Sequence, residues 1–143
     1  FLTGRSRYAP GTVGSFFALP FAYLCAFYGV IGIIVGTVFI FLTGWAAARP
    51  VLKTSSDTDP GFIVIDEVAG QTLTFIGVAQ ALMGTPVYLA IGFALFRFFD
   101  IVKIWPASFF DKRVHTAFGL MADDIVAGFY AALCLYGFHL LYQ

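Results

Sequence analysis

At 143 residues the chain has the length of one domain. Its composition is wrong for a water-soluble one, since 60% of residues are apolar and 11% charged, against about a quarter charged in a typical soluble domain. Eight Lys/Arg balance eight Asp/Glu, so no excess positive charge invites nucleic acid. A mean hydropathy of +0.90, with 18 Phe, 7 Tyr and 2 Trp, excludes a disordered chain. The expectation is an all-α integral membrane protein.

Along the chain the charges fall into three stretches. Arg5 and Arg7 form the first. Arg49, Lys53, Asp57, Asp59, Asp66 and Glu67 form the second, and Arg97, Asp100, Lys103, Asp111, Lys112, Arg113, Asp123 and Asp124 the third. Two charge-free blocks, 8–48 and 68–96, separate them, and a third follows Asp124. Each of the first two exceeds the roughly 20 residues of one membrane-spanning helix and carries a break near its middle. The breaks are Gly29-Val30-Ile31-Gly32 and Gly84-Thr85-Pro86. Folding each block into a hairpin predicts a compact bundle of five apolar helices, near 12–28, 30–48, 66–83, 86–99 and 123–142. Helices are the default because backbone exposed to lipid must satisfy its own hydrogen bonds.

Two hairpins return the chain to its starting side each time, so the three charged stretches share one face. With every Lys and Arg there, that face is expected to be cytoplasmic and the C-terminus to lie opposite. Several helices are short for a full span, so five helices is a firmer expectation than five crossings. Arg5 and Arg7 are followed by Pro10-Gly11, not by an apolar stretch ending in small residues, so no cleavable signal is expected. Cys25 and Cys134 each sit alone in an apolar run. They read as small buried hydrophobes, not as a zinc site or disulfide.

Asp66-Glu67 is expected to open the third helix, Asp100 to close the fourth and Asp123-Asp124 to open the fifth, all at one membrane surface. Acids at a helix start also fit simple N-capping. Two pairs plus Asp100 on one face go further: five carboxylates beside a low-dielectric layer call for a cation. Oxygen ligands without His or Cys suit Mg²⁺, which takes one or two carboxylates together with substrate phosphate. The metal-ligand candidates are therefore Asp66, Glu67, Asp100, Asp123 and Asp124. Small residues follow both pairs, in Asp66-Glu67-Val68-Ala69-Gly70 and Asp123-Asp124-Ile125-Val126-Ala127-Gly128, and such residues let helices approach closely.

Donors for an anion surround these acids. Pro10-Gly11-Thr12-Val13-Gly14-Ser15 reads either as a glycine-bearing turn whose free amides cradle a phosphate or as a helix start capped by Thr12. Thr12, Gly14 and Ser15 are the substrate-binding candidates there. Arg97, Asp100 and Lys103 share a helical face if the helix persists, and Arg97 either binds phosphate or pairs with Asp100. His115 reads as a loop histidine or as a proton donor to a leaving oxygen, and His139 as a neutral histidine on a helix face. Asp57-Thr58-Asp59 is a weak aspartate-nucleophile pattern, better read as a solvated turn before Pro60-Gly61. Trp45 and Trp105 are expected at the membrane interface.

At these residues the sequence resembles the phosphatidylglycerophosphatase A family of bacterial membrane lipid phosphatases. The matching pieces are Ala9-Pro10-Gly11-Thr12-Val13-Gly14-Ser15, then Asp59-Pro60-Gly61-Phe62-Ile63-Val64-Ile65-Asp66-Glu67 with Gly70. Phe96-Arg97-Phe98-Phe99-Asp100-Ile101-Val102-Lys103 follows, and last Gly119-Leu120-Met121-Ala122-Asp123-Asp124 with Ala127-Gly128. Lys103-Ile104-Trp105-Pro106 and Thr116-Ala117-Phe118 depart from the family pattern in backbone path, not in acids. The resemblance implies one membrane-embedded lipid phosphatase domain over 1–143, in a bacterial inner membrane with its site facing the cytoplasm. The implied reaction is Mg²⁺-dependent hydrolysis of the terminal phosphate of phosphatidylglycerophosphate, the phospholipid partner. On that reading Glu67 or Asp124 is the general base, Asp100 or Asp123 a nucleophile if the reaction is covalent. Arg97, Lys103 and the amides of 11–15 hold the phosphoryl group. The competing class is a small transporter or channel subunit that binds cations or protons at the same acids.

Overall fold

The computed structural model describes residues 9–54 and 64–143. Arg5, Arg7, Asp57, Asp59 and the Pro60-Gly61 turn lie outside the described residues. Among those described, the chain is helical and contains no strand.

Helix α1 (Ala9–Ala26) starts earlier than expected, with Pro10 in its first turn, where a missing N–H costs nothing. Thr12 is therefore inside the helix and does not cap it. The chain reverses at Phe27-Tyr28, where the Tyr28 amide donates to the Cys25 carbonyl at 3.0 Å, and Gly29 takes φ +64°, a region glycine enters freely. Helix α2 (Gly29–Thr54) then runs back along α1. The two backbones touch at Gly32, where a Cβ would overlap the Cys25 carbonyl oxygen.

The third expected helix is not continuous. It divides into α3 (Ile65–Leu73), a 3₁₀ turn (Ile76–Val78) and α4 (Ala81–Gly84). No proline causes the break. Phe75, fully buried, is packed beneath Gly92 and Leu135 and pulls the chain off the helical path, and the hydroxyls of Thr72 and Thr74 back-bond to the Val68 and Gly70 carbonyls. After the Thr85-Pro86 turn, α5 (Val87–Val102) returns toward the charged end. It stops at Lys103, which adopts the left-handed conformation (φ +47°) and donates its amide to the Phe99 carbonyl at 2.9 Å. An unexpected short helix, α6 (Ala107–Arg113), precedes α7 (Ala117–Tyr142). Thr116 caps α7 by accepting from the Gly119 amide at 3.2 Å. The last helix thus begins six residues before the acids, and Asp123-Asp124 lies in its second turn, so capping does not explain that pair.

Between the far ends of the helices, Ile33, Phe75, Leu82 and Leu135 form a fully buried core, and Phe96, Ala127 and Ala131 form a second one nearer the acids. Outward faces are apolar as well: Phe17, Val35, Phe39, Leu133 and Leu141 are all exposed. Two helices, Gly29–Thr54 and Ala117–Tyr142, are long and apolar enough to cross a membrane. Cys25 is half-buried against Gly36, whereas Cys134 is exposed among these outward apolar side chains and is not the buried hydrophobe the sequence suggested.

Candidate active site

Helix α3 presents Asp66 and Glu67 in its first turn, and α7 presents Asp124 in its second. What brings them together is a crossing with no side chains in it. A Cβ on Gly70 would overlap the carbonyl oxygen of Asp124, and one on Gly128 would overlap the carbonyl oxygen of Gly70. The small residues after each acidic pair therefore allow the close approach expected of them. The result is a triad, Asp66, Glu67 and Asp124, with one carboxylate oxygen of each within 4.8 Å of the others.

Helix α1 closes the triad from the side. A Cβ on Gly11 would overlap Glu67 Oε1, and one on Gly14 would sit 2.8 Å from Glu67 Oε2. These glycines make room for a carboxylate. They do not form the open amide cradle that the sequence allowed, because from residue 13 onward the amides of α1 belong to the helical ladder. Ser15, fully buried, donates its hydroxyl to the Gly11 carbonyl at 2.9 Å. Thr12 is exposed on the same helix.

Two cations bind the remaining acids. Arg97 Nη1 is hydrogen-bonded to Asp100 Oδ2, lies 3.5 Å from Ser15 Oγ and 4.0 Å from Glu67 Oε1, and its side chain is 11% exposed. Lys103 Nζ donates to Asp123 Oδ2 at 2.7 Å. The i, i+3 reading of Arg97 and Asp100 is thus met. Lys103 lies past the helix end and turns to α7 instead. Asp100 and Asp123 stand beside the triad, within electrostatic reach of Asp124, each tied to its own cation.

Three carboxylates so close, with Asp66 and Asp124 buried, repel one another strongly where water is scarce. The donor set is all oxygen, without His or Cys, and fits a hard divalent cation such as Mg²⁺. His115 is exposed in the link before α7, and His139 is taken up by a 2.8 Å hydrogen bond between its Nδ1 and the Tyr88 hydroxyl. Gln71, one turn beyond Glu67 on α3, was not among the expected residues. Its signal was an amide four residues after Glu67, inside the charge-free block 68–96.

The family model for phosphatidylglycerophosphatase A matches residues 1–139. A phosphatidylglycerophosphatase A of Escherichia coli is 38% identical over 95% of this chain and 77% of its own length. One of Haemophilus influenzae is 33% identical over 95% of this chain and 82% of its own. A relative from Bacteroides thetaiotaomicron, 31% identical over 94% of the chain and 86% of its own length, carries the provisional name phosphatidylinositol-3-phosphatase. No solved structure matches the chain. With four motifs in order, a carboxylate triad at their meeting point and relatives matched along nearly the whole length, the chain belongs to the phosphatidylglycerophosphatase A family and is a phosphatase.

Proposed function

We propose that the chain is an integral membrane enzyme that removes the terminal phosphate of phosphatidylglycerophosphate, releasing phosphatidylglycerol and inorganic phosphate. Mg²⁺ is held by Asp66, Glu67 and Asp124, at the cytoplasmic face of a bacterial inner membrane. The observation that carries this reading is the convergence of three carboxylates from α3 and α7 beside Arg97, in a chain of this family. A carboxylate cluster confined to one end of the bundle marks no path across a bilayer and gives no support to a transporter.

The depth of the site supports a lipid substrate. From Asp124 the rest of α7, 124–142, is about 27 Å long at 1.5 Å per residue, close to the ~30 Å hydrocarbon thickness of a bilayer. If Tyr142 lies at the far boundary, Asp124 lies at the near one. Trp45 gives the same level independently. It is adjacent to Gly44, which packs on Ile65 and Met121, and Arg49 sits 3.9 Å over its ring, a pairing suited to the headgroup layer. The described lysines and arginines gather toward this end, which favours the cytoplasmic side. Acyl chains then stay among the exposed apolar faces while the phosphorylated headgroup meets the acids.

When bound, the cation supplies Lewis-acid neutralisation of the phosphoryl oxygens. Arg97, fixed by Asp100 and Ser15, adds a planar donor for the same oxygens. Glu67 is the least buried of the triad and lies against Gly11 and Gly14; one of its carboxylate oxygens suffices for the cation, and the other would take the proton of the attacking water. Asp100 and Asp123, each held by a cation, are poorly placed as nucleophiles, so water attacks phosphorus directly. Lys103 fixes Asp123 and with it the first turns of α7.

The test is phosphate release by the purified protein in detergent from phosphatidylglycerophosphate, with Mg²⁺ and with a chelator, alongside phosphatidylinositol 3-phosphate. Release that needs Mg²⁺ and prefers the first lipid is expected. No release with any divalent metal would overturn the reading, and preference for the inositol lipid would reassign the substrate.

A further inference from the structure

Gln71 is fully buried on α3, and neither its Nε2 nor its Oε1 has a hydrogen-bond partner. An amide buried in an apolar interior without a partner is destabilising, because the hydrogen bonds it made to water are not replaced. Leucine would fill much the same volume without that cost. A glutamine kept for packing would be bonded to something, so this amide has another use.

Its place in the helix says what that use is. Gln71 follows Glu67 by four residues within the single helix Ile65–Leu73, so the two side chains are neighbours on one face. Cα–Cβ bonds tilt toward a helix's N-terminus, and on α3 that is the end that carries Asp66 and Glu67. The amide offers one acceptor and two donors, and a buried water needs two to four polar partners. We propose that Gln71 is a positioning residue: its amide holds an ordered water beneath Glu67 and, through it, sets the attitude of that carboxylate. The inference rests on the phosphatase reading above and adds a residue to it.

The experiment compares Gln71→Leu with wild type, and with Thr37→Val as a control. The Thr37 hydroxyl is also buried without a partner, but it lies on α2, a helix that carries none of the triad. Two quantities are read: melting temperature in detergent with chelator, and kcat and KM for phosphate release with Mg²⁺. For Gln71→Leu, kcat should fall about 10–100-fold, the usual effect of losing a group that orients a metal-site ligand, with KM nearly unchanged. Its melting temperature without metal should equal or exceed wild type. Gln71→Asn, which keeps the amide, should recover part of kcat, and Thr37→Val should keep the wild-type rate. Wild-type kcat in Gln71→Leu would overturn the proposal. So would a lowered melting temperature, or failure to fold in both Gln71→Leu and Gln71→Met, because the amide would then be structural. An inactive wild type would refute the phosphatase reading instead.

Discussion

Gly70 and Gly128 meet backbone to backbone, so that the position of Glu67 relative to Asp124 is fixed by two residues that have no side chain. Gly128→Ala should push α7 away from α3 and open the triad. Overpacking of this kind costs about 1–3 kcal/mol, read as a lower melting temperature together with loss of phosphate release. Gly137 lies on the same helix, and a Cβ added there would meet nothing within 4 Å. Gly137→Ala should keep full activity and, by helix propensity, stability within about 1 kcal/mol of wild type or above it.

Asp66→Asn and Asp124→Asn should each abolish turnover while the protein remains folded. Removing one charge from a crowded, buried trio relieves repulsion, so neither change should lower the melting temperature without metal. Added Mg²⁺ should raise the melting temperature of the wild type, by about 2.7 kcal/mol of stability at a hundredfold excess over its dissociation constant. It should do little for either variant. A thermal-shift titration with and without chelator reads both effects, and an equal Mg²⁺ response in Asp124→Asn would remove that residue from the metal site.

Lys103 and Asp123 form a pair whose side chains are 29% and 8% exposed. Lys103→Met leaves Asp123 without its cation and should cost about 1–3 kcal/mol. The double change Lys103→Met with Asp123→Asn should cost less than the two single changes added together, and unfolding measurements on the four proteins give the coupling directly. If the pair serves only to hold α7, activity should follow stability in this series; a loss of activity beyond the loss of stability would put Lys103 on the phosphoryl group.

Arg97→Lys keeps the charge but loses the planar guanidinium, whose Nη1 reaches Asp100, Ser15 and the side of Glu67. It should lower kcat about 10²–10³-fold, the range for removing one donor to transition-state charge. Steady-state kinetics on phosphatidylglycerophosphate check this, and a change confined to KM would show that Arg97 only binds the substrate.

Much of the site was readable from charge placement alone. Charge-free blocks broken at Gly29 and Gly84 bring the acids to one end of the bundle, and the glycines after each acidic pair announced the close crossing. The i, i+3 spacing of Arg97 and Asp100 announced their contact. Three features were not legible. The division after Leu73 comes from Phe75 burying its ring against α5 and α7, a tertiary effect that leaves no proline or turn motif behind. The early start of α7 was marked by Thr116, but the acidic pair at 123–124 was the stronger helix-start signal and drew the boundary to itself. The division of the five acids into a triad and two ion pairs depends on which way Lys103 turns, and its left-handed backbone conformation follows from no residue preference.

Helix α3 is about 13 Å long, less than half a bilayer, so the acids at its top stand on a stub. Two residues past its lower end, the Phe75 ring is wedged against Gly92 and Leu135. That ring anchors the stub from below, while Asp124 rides on a separate, full-length mast. On the proposed reading, the level at which the acids meet a headgroup is then anchored from underneath, by an aromatic side chain at the opposite end of the stub from the chemistry.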